Sequence, residues 1–394
     1  LCWLFLLIDL QLDKNVTFSY IPFGGMSHLK GVPFSLSLLG VYSLKHVRHI
    51  DRSYKEKIVV LSIVELLVML VIILGAAELF TNALEHLGER LNISEGVTGS
   101  IFAAVGTALP ETLVPLLAIF AGTSDAQINE EVGVGAILGA PLMLATLSTF
   151  LMGMAVVRRR GWAGKVTPEL SGFKRDLQCF IIAFIIAILA MYVPPEYRLI
   201  RIVLSLCLVA TYLVYLILTL KASKKLVEDG HATESKGILY LSKIGLPTNI
   251  VTIFLQIVIG VLLLVLGAKG FIHGISALSQ LLGVSALLIS LLIIPIATEL
   301  PEKINSILWV RRGKDTLAFG NITGAMVFQG TLLPAIGILL TPWVPRIEVL
   351  AGIVITLIAV VWLRIFAAKG GVPIWGVLLN GVLYVCFIAI ALSH

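Results

Sequence analysis

LNISEGVTGSIFAAVGTALPE (residues 91–111) aligns without gaps on LGVSALLISLLIIPIATELPE (residues 282–302). Glu111 and Glu302 close the two blocks at an offset of 191 residues. A second pair follows in the same order, GAILGAPLMLATL (135–147) against GNITGAMVFQGTL (320–332). It matches Gly135 to Gly320, Gly139 to Gly324, Ala140 to Ala325 and Thr146 to Thr331. Two paired blocks in one order mark an internal repeat, and a repeat has to be recognised before any single motif is read.

The surrounding composition is that of a membrane protein. The 394 residues are 58% hydrophobic and 13% charged, with a mean hydropathy of +1.01. A soluble protein is roughly 25% charged, so a water-facing surface is excluded, as is disorder, which needs low hydrophobicity. Ten apolar stretches approach the ~20 residues that cross a bilayer as a helix. They cover 57–83, 98–121, 132–157, 177–194, 198–220, 247–268, 282–310, 317–340, 347–367 and 372–392. A polar linker at 221–246 divides them five and five. Because each half contains an odd number of spans, the second copy must run upside down relative to the first. The expected fold class is therefore all-α, a polytopic membrane protein of about ten transmembrane helices in two inverted five-helix repeats, 57–220 and 247–392. Many secondary transporters are built this way.

The net charge of +6 is distributed unevenly. Loops on one side carry Arg90, Arg158, Arg159, Arg160, Lys165, Lys174, Arg175, the lysines of 221–246, Arg311, Arg312, Lys314, Arg364 and Lys369. The other side has only Arg198, Arg201, Lys269 and Arg346. Basic loops stay in the cytoplasm, which places the 221–246 linker there and the protein in the cell membrane. Residues 1–56 form a poorly specified N-terminal extension. Its Lys45, Arg48, Arg52 and Lys55, with Lys57, fall on the side expected to be external. Cys2, Cys179, Cys207 and Cys386 lack the spacing of a zinc site or disulfide framework. No nucleotide-binding loop, nucleophile–base arrangement or redox motif appears. The sequence thus points to no enzyme, no cofactor, no nucleic acid and no nucleotide, and it assigns no oligomeric state.

Chemistry concentrates on two carboxylates. Glu111 and Glu302 lie inside spans two and seven, each directly after a proline. A charge at mid-membrane costs about 2.5–3.5 kcal/mol on insertion scales and usually marks an ion path. Pro110 and Pro301 lack an N–H and free a carbonyl one turn upstream, which a bilayer tolerates only if something satisfies it. A hard cation such as Ca²⁺ does so through oxygen ligands. Thr107 and Thr298, each four residues before its glutamate, lie one turn away and offer a carbonyl or hydroxyl. The plainer reading is that each glutamate snorkels to a headgroup; symmetric placement beside a proline argues against it for both. Span seven adds Glu299 and Ser306 on the Glu302 face, at spacings of three and four. Lys303, four residues after Glu299, either neutralises Glu299 in an ion pair or reaches the site and stands in for a cation.

Other residues have plainer readings. Glu65 suits a helix–helix hydrogen bond, and the Gly135/Gly139 and Gly320/Gly324 spacings suit close helix approach. Asp125, Glu130 and Glu131 form an acidic mouth able to concentrate cations. His86 and His273 flank spans one and six, and the sequence supports no metal or proton role for either.

The GTALPE and ATELPE motifs in two inverted halves resemble the alpha repeats of the cation/calcium antiporter superfamily, best known from sodium/calcium exchangers. The likeness covers roughly residues 57–392. The family repeat reads Gly-Thr-Ser-Leu-Pro-Glu, followed one helix later by Gly-Asn-x-x-Gly-Ser-Asn. The resemblance implies that Glu111 and Glu302 coordinate the transported cations, with Thr107 and Thr298 beside them. It also puts Asn321 at the family's asparagine and Gln329 near a carboxylate or carboxamide position. The departures are Ala108 and Glu299 in place of serine, Ala136, Ala140 and Pro141 in span three, and Ala325 and Met326 in span eight. Implied, then, is a secondary active antiporter whose partners are inorganic cations and the lipid bilayer. Calcium exchanged for sodium by alternating access is the leading reading. Proton-coupled exchange, or a non-transporting scaffold or ion sensor on the same fold, are the alternatives.

Overall fold

The computed structural model describes residues 52–90, 103–122, 125–227, 237–368 and 370–393. The chain divides into two compact units, Leu1–Leu61 and Ser62–His394. Of the expected 1–56 extension, residues 1–51 lie outside the described residues, and 52–56 are the start of a helix.

Each expected span coincides with a helix. The long helices are α1 (Arg52–Arg90), α2 (Ala103–Ala121), α3 (Ala126–Met143) continuing into α4 (Thr149–Arg160), α5 (Leu170–Met191) and α6 (Arg198–Val227). After a short α7 (Tyr240–Lys243) come α8 (Ile250–Leu282), α9 (Ala286–Arg311), α10 (Asp315–Leu340), α11 (Ile347–Ala368) and α12 (Ile374–Leu392). Seven of the described spans are long and apolar enough to cross a membrane. The α6 helix runs past the hydropathic edge at residue 220 to Val227, because Lys221, Lys224 and Lys225 are good helix formers in water. The linker's residues 228–236 lie outside the described residues.

Burial separates the helices into a centre and a ring. In the apolar windows of α3–α4 and of α10, 67% of residues are buried, against 17% in α6. The exposed face of α6 is apolar, with Leu199, Val203, Leu206, Leu213 and Val214 outward, as expected of a surface solvated by lipid. α9 packs along α3 more extensively than any other helix pair meets, and α10 lies against α5, α6 and α9.

Two features were not legible as spans. The rod formed by α3 and α4 contains a π-helical turn, Leu144–Ser148, just beyond Pro141. Such turns widen the helix and loosen its hydrogen-bond ladder. Here Asn380 of α12 donates to the Ala145 carbonyl (2.9 Å) and Thr149 donates to the carbonyls of Ala145 (2.7 Å) and Thr146 (2.9 Å). The second feature is a small antiparallel ladder between β1 (Lys165–Val166) and β2 (Val372–Pro373), pairing Lys165 with Pro373 and Val166 with Val372. It ties the loop after α4 to the start of α12. Next to it, Arg160 grips Asp315 through its two terminal guanidinium nitrogens (2.7 and 2.8 Å), while the Thr167 N–H donates to the same carboxylate at 2.8 Å. At the far end of the α3–α4 rod, Arg346 donates to Glu131 at 2.7 Å. Both ends are therefore clamped to the second half of the chain.

Candidate cation site

α9 carries a polar run through an apolar bundle. Thr298, Glu299, Lys303 and Ser306 are all buried. Glu299 is fully buried and held from two directions. Lys303 Nζ, one turn along the same helix, lies 3.3 Å from Oε2, and Gln329 Nε2 on α10 donates to Oε1. Farther along, Asn321 Nδ2 donates to Ser306 Oγ at 2.8 Å. Because α9 and α10 are antiparallel neighbours joined by a tight turn, 299 pairs with 329 and 306 with 321, two rungs of one ladder. The amide oxygen of Gln329 is buried and receives no hydrogen bond within the protein, an uncommon and costly state for a polar atom.

The expected ligands divide accordingly. Glu299, Asn321 and Gln329 gather on the α9–α10 seam. Thr298 is buried beside Glu299 but turns its hydroxyl back to the Ile294 carbonyl of its own helix (3.0 Å). Glu111 is buried in α2, which packs on α3 and touches α9. The side chains of Thr107 and Glu302 lie outside the described residues, although both positions are helical. Among the described residues, no three His, Cys, Asp or Glu side chains form a cluster able to hold a metal ion. Any cation bound at the seam would therefore rely on amide, hydroxyl and carbonyl oxygens besides carboxylates.

The span-three departures have a packing consequence. A Cβ at Gly135 would overlap Ser290 Oγ, and one at Gly139 would overlap the Leu291 carbonyl and the Pro295 ring. Pro295 has no N–H to give that carbonyl, so the bare Gly139 Cα covers an acceptor the α9 ladder leaves open. Ala136 and Ala140 are buried in the same helix. Where the family pattern offers polar side chains, this chain offers a small-residue seat for α9. The second glycine pair behaves differently from the expected close approach. A Cβ at Gly320 meets nothing within 4 Å, and at Gly324 only the Tyr215 hydroxyl at 3.6 Å. The bulky Tyr215 holds α6 off at that point.

Two further expectations change. Glu131 is buried and engaged by Arg346 and by Gln127 Nε2 (3.1 Å), and Asp125 caps α3 by accepting from Gln127 N (3.0 Å) and Ile128 N (3.3 Å). The supposed acidic mouth is thus largely structural. His273 does have a partner, since its Nδ1 lies 3.3 Å from Glu65 Oε1, which makes Glu65 the helix–helix contact expected of it. Asn380 is marked in the sequence only as a lone amide inside the apolar 372–392 stretch.

The model of the family described as sodium/calcium exchanger protein matches residues 61–221 and 252–393. Putative antiporter CaxA of Alkalimonas amylolytica is 26% identical over 285 residues, covering 71% of this chain and 80% of CaxA. Inner membrane protein YrbG of Escherichia coli (strain K12) is 24% identical over 277 residues, covering 70% and 79%. Among solved structures, the H⁺/Ca²⁺ exchanger CAX superposes with a TM-score of 0.60 at 18% identity, covering 84% of this chain and 82% of that one. The sodium-calcium exchanger NCX_Mj does so with a TM-score of 0.50 at 19% identity, covering 84% and 99%. At these identities the two structures speak for the fold.

Proposed function

This chain belongs to the sodium/calcium exchanger protein family, an integral membrane protein among antiporters, and from that premise we propose that it exchanges Ca²⁺ for Na⁺ by alternating access. Glu111 and Glu302, from two inverted five-helix halves (57–220 and 247–392), supply the carboxylates. Thr107, Thr298, Asn321 and Gln329 add neutral oxygens. The family match in two segments, one per half, supports the inverted repeat. The observation that carries the reading is the polar seam on which buried Glu299, Lys303, Ser306 and Gln329 meet the half-buried Asn321 between two apolar helices. Buried ionisable groups at membrane depth line ion paths in transporters.

In this reading, Ca²⁺ and Na⁺ compete for the same carboxylates, so one loads as the other leaves. Movement of one part of the bundle against the rest then exposes the site to alternate sides. The site lies in the cell membrane, with the basic loops and the 221–246 linker in the cytoplasm.

One observation favours a second reading, proton coupling. Lys303 already neutralises Glu299, and α3 contributes Ala136, Ala140 and Pro141 where side-chain oxygens would hold sodium. A site with fewer oxygens holds fewer sodium ions, and a carboxylate in a dry site binds H⁺ more readily. The test is ⁴⁵Ca²⁺ uptake into proteoliposomes under an imposed Na⁺ gradient or an imposed pH gradient. Uptake driven by Na⁺ supports the first reading, and uptake driven only by the pH gradient supports the second. Uptake driven by neither, in folded protein, would replace both with a scaffold or sensor.

A further inference from the structure

One buried carboxylate takes no part in the α9–α10 seam. Asp176, in the second turn of α5, is 6% exposed. Thr323 of α10 donates to its Oδ2 at 2.7 Å. Its Oδ1 is buried without a hydrogen bond of ordinary length, and the Tyr215 hydroxyl is the other donor that bears on the carboxylate. The neighbouring cation, Arg175, stands with Nε 3.8 Å from Oδ1, too far for a hydrogen bond, and that Nε is itself buried without an acceptor. An ionised carboxylate left in this state is expensive unless something completes its coordination.

Asp176 lines a cavity of about 250 Å³ between α5, α6 and α10. Glu169, Tyr215, Thr219, Thr316 and Gly320 share the lining. The polar atoms offered there, apart from Arg175, are carboxylate and hydroxyl oxygens, the ligands of hard cations. Arg175 offsets one of the two carboxylates, leaving a net charge of −1, which matches one monovalent ion. At ~30 Å³ per water, the cavity has room for an ion with several waters. Gly320 borders it, and a Cβ there would meet nothing within 4 Å. Thr323 points roughly 200–240° around α10 from Asn321 and Gln329, so this cavity and the exchange seam lie on opposite faces of one helix.

We propose that the Asp176 cavity is a second cation site, which holds a partly hydrated alkali cation on the Asp176 carboxylate and the surrounding hydroxyls. Occupied, it ties α10 to α5 and α6 from behind. The helix that carries Asn321 and Gln329 is thereby stiffened by an ion that is not transported.

The test uses the purified full-length chain in detergent, in an E111Q/E302Q background that removes the carboxylates of the exchange site. Thermal unfolding is followed by tryptophan fluorescence as NaCl or KCl replaces N-methylglucamine chloride at constant ionic strength. The background protein should show a saturable rise in midpoint of about 3–5 °C with one of the two ions. Adding Asp176→Asn should abolish the rise. Gly320→Leu, which fills the cavity and keeps the carboxylate, should abolish it as well, and decides the matter if Asp176→Asn does not fold. The proposal is overturned if the background shows no ion-specific rise, or if the rise survives in Gly320→Leu or in folded Asp176→Asn. Transport unaffected by E111Q/E302Q would instead sink the exchange-site reading and leave this one standing.

Discussion

Lys303 Nζ lies 3.3 Å from Glu299 Oε2, one turn away on α9, with side-chain exposures of 2% and 0%. Such a pair repays its desolvation only through close geometry and further hydrogen bonds, which Gln329 supplies on the other carboxylate oxygen. The pair cancels its own charge and leaves the Glu302 carboxylate as the net charge of this stretch of α9.

Removing Lys303 alone strands a buried carboxylate. Lys303→Met should therefore destabilise the protein by about 3–5 kcal/mol, whereas the double variant Glu299→Gln/Lys303→Met should recover much of the loss. Unfolding midpoints of the four proteins in detergent give the coupling, expected at about 1–3 kcal/mol. Additive losses would mean the two side chains do not act as a unit.

Lys303 also bears on coupling. If its ammonium replaces a transported cation, Lys303→Thr, which installs the residue type at the matched position Thr112, should change the charge moved per Ca²⁺. Transport currents on a solid-supported membrane, divided by ⁴⁵Ca²⁺ flux, measure that ratio. An unchanged ratio would leave Lys303 as a structural counter-ion.

The two glycine pairs should respond oppositely to substitution. Gly139→Ala places a methyl group against the Leu291 carbonyl and Pro295, and overpacking of that kind costs about 1–3 kcal/mol. Gly320→Ala meets open space and should be neutral or stabilising by up to about 1 kcal/mol, the helix advantage of alanine. Equal effects at the two sites would contradict the asymmetric packing of α3 and α10.

Glu169 caps α5 by accepting from Ser171 N (2.8 Å) and Gly172 N (2.7 Å). The Gly172 and then the Ser171 hydrogen bonds hold its carboxyl below the usual carboxylate range. A lowered folded-state value means the cap stabilises fully above the unfolded pKa and is lost as pH falls through the folded one. Glu169→Ala should cost about 1 kcal/mol at neutral pH, and the gap in unfolding midpoint from the wild type should close as the pH drops below about 4. A gap independent of pH would rule out the carboxylate as the capping group.

Hydropathy located the spans because a bilayer imposes a length of about 20 apolar residues, and the matched blocks ending at Glu111 and Glu302 displayed the repeat. Glu299, Asn321 and Gln329 could be placed on α9 and α10 from helical spacing and motif position. Their partners could not, since Glu299–Gln329 and Ser306–Asn321 are contacts between helices. The same holds for Glu131, which its sequence neighbours place in an acidic mouth and which Arg346, 215 residues away, holds in the fold. The π-helical turn at Leu144–Ser148 has Pro141 as a local hint, but the donor that Asn380 of α12 brings to its Ala145 carbonyl comes from a distant helix. Nothing in a glycine spacing says what packs there, so Gly135/Gly139 and Gly320/Gly324 look alike in sequence and differ in the fold.

The central claim, that Glu111 and Glu302 share one cation, is tested most directly by equilibrium binding of ⁴⁵Ca²⁺ to the purified protein. Wild type should bind saturably and be displaced by Na⁺, and Glu111→Gln and Glu302→Gln should each, alone, abolish binding while leaving the unfolding midpoint in ion-free buffer near wild type. Undiminished Ca²⁺ binding in either single variant would contradict the claim.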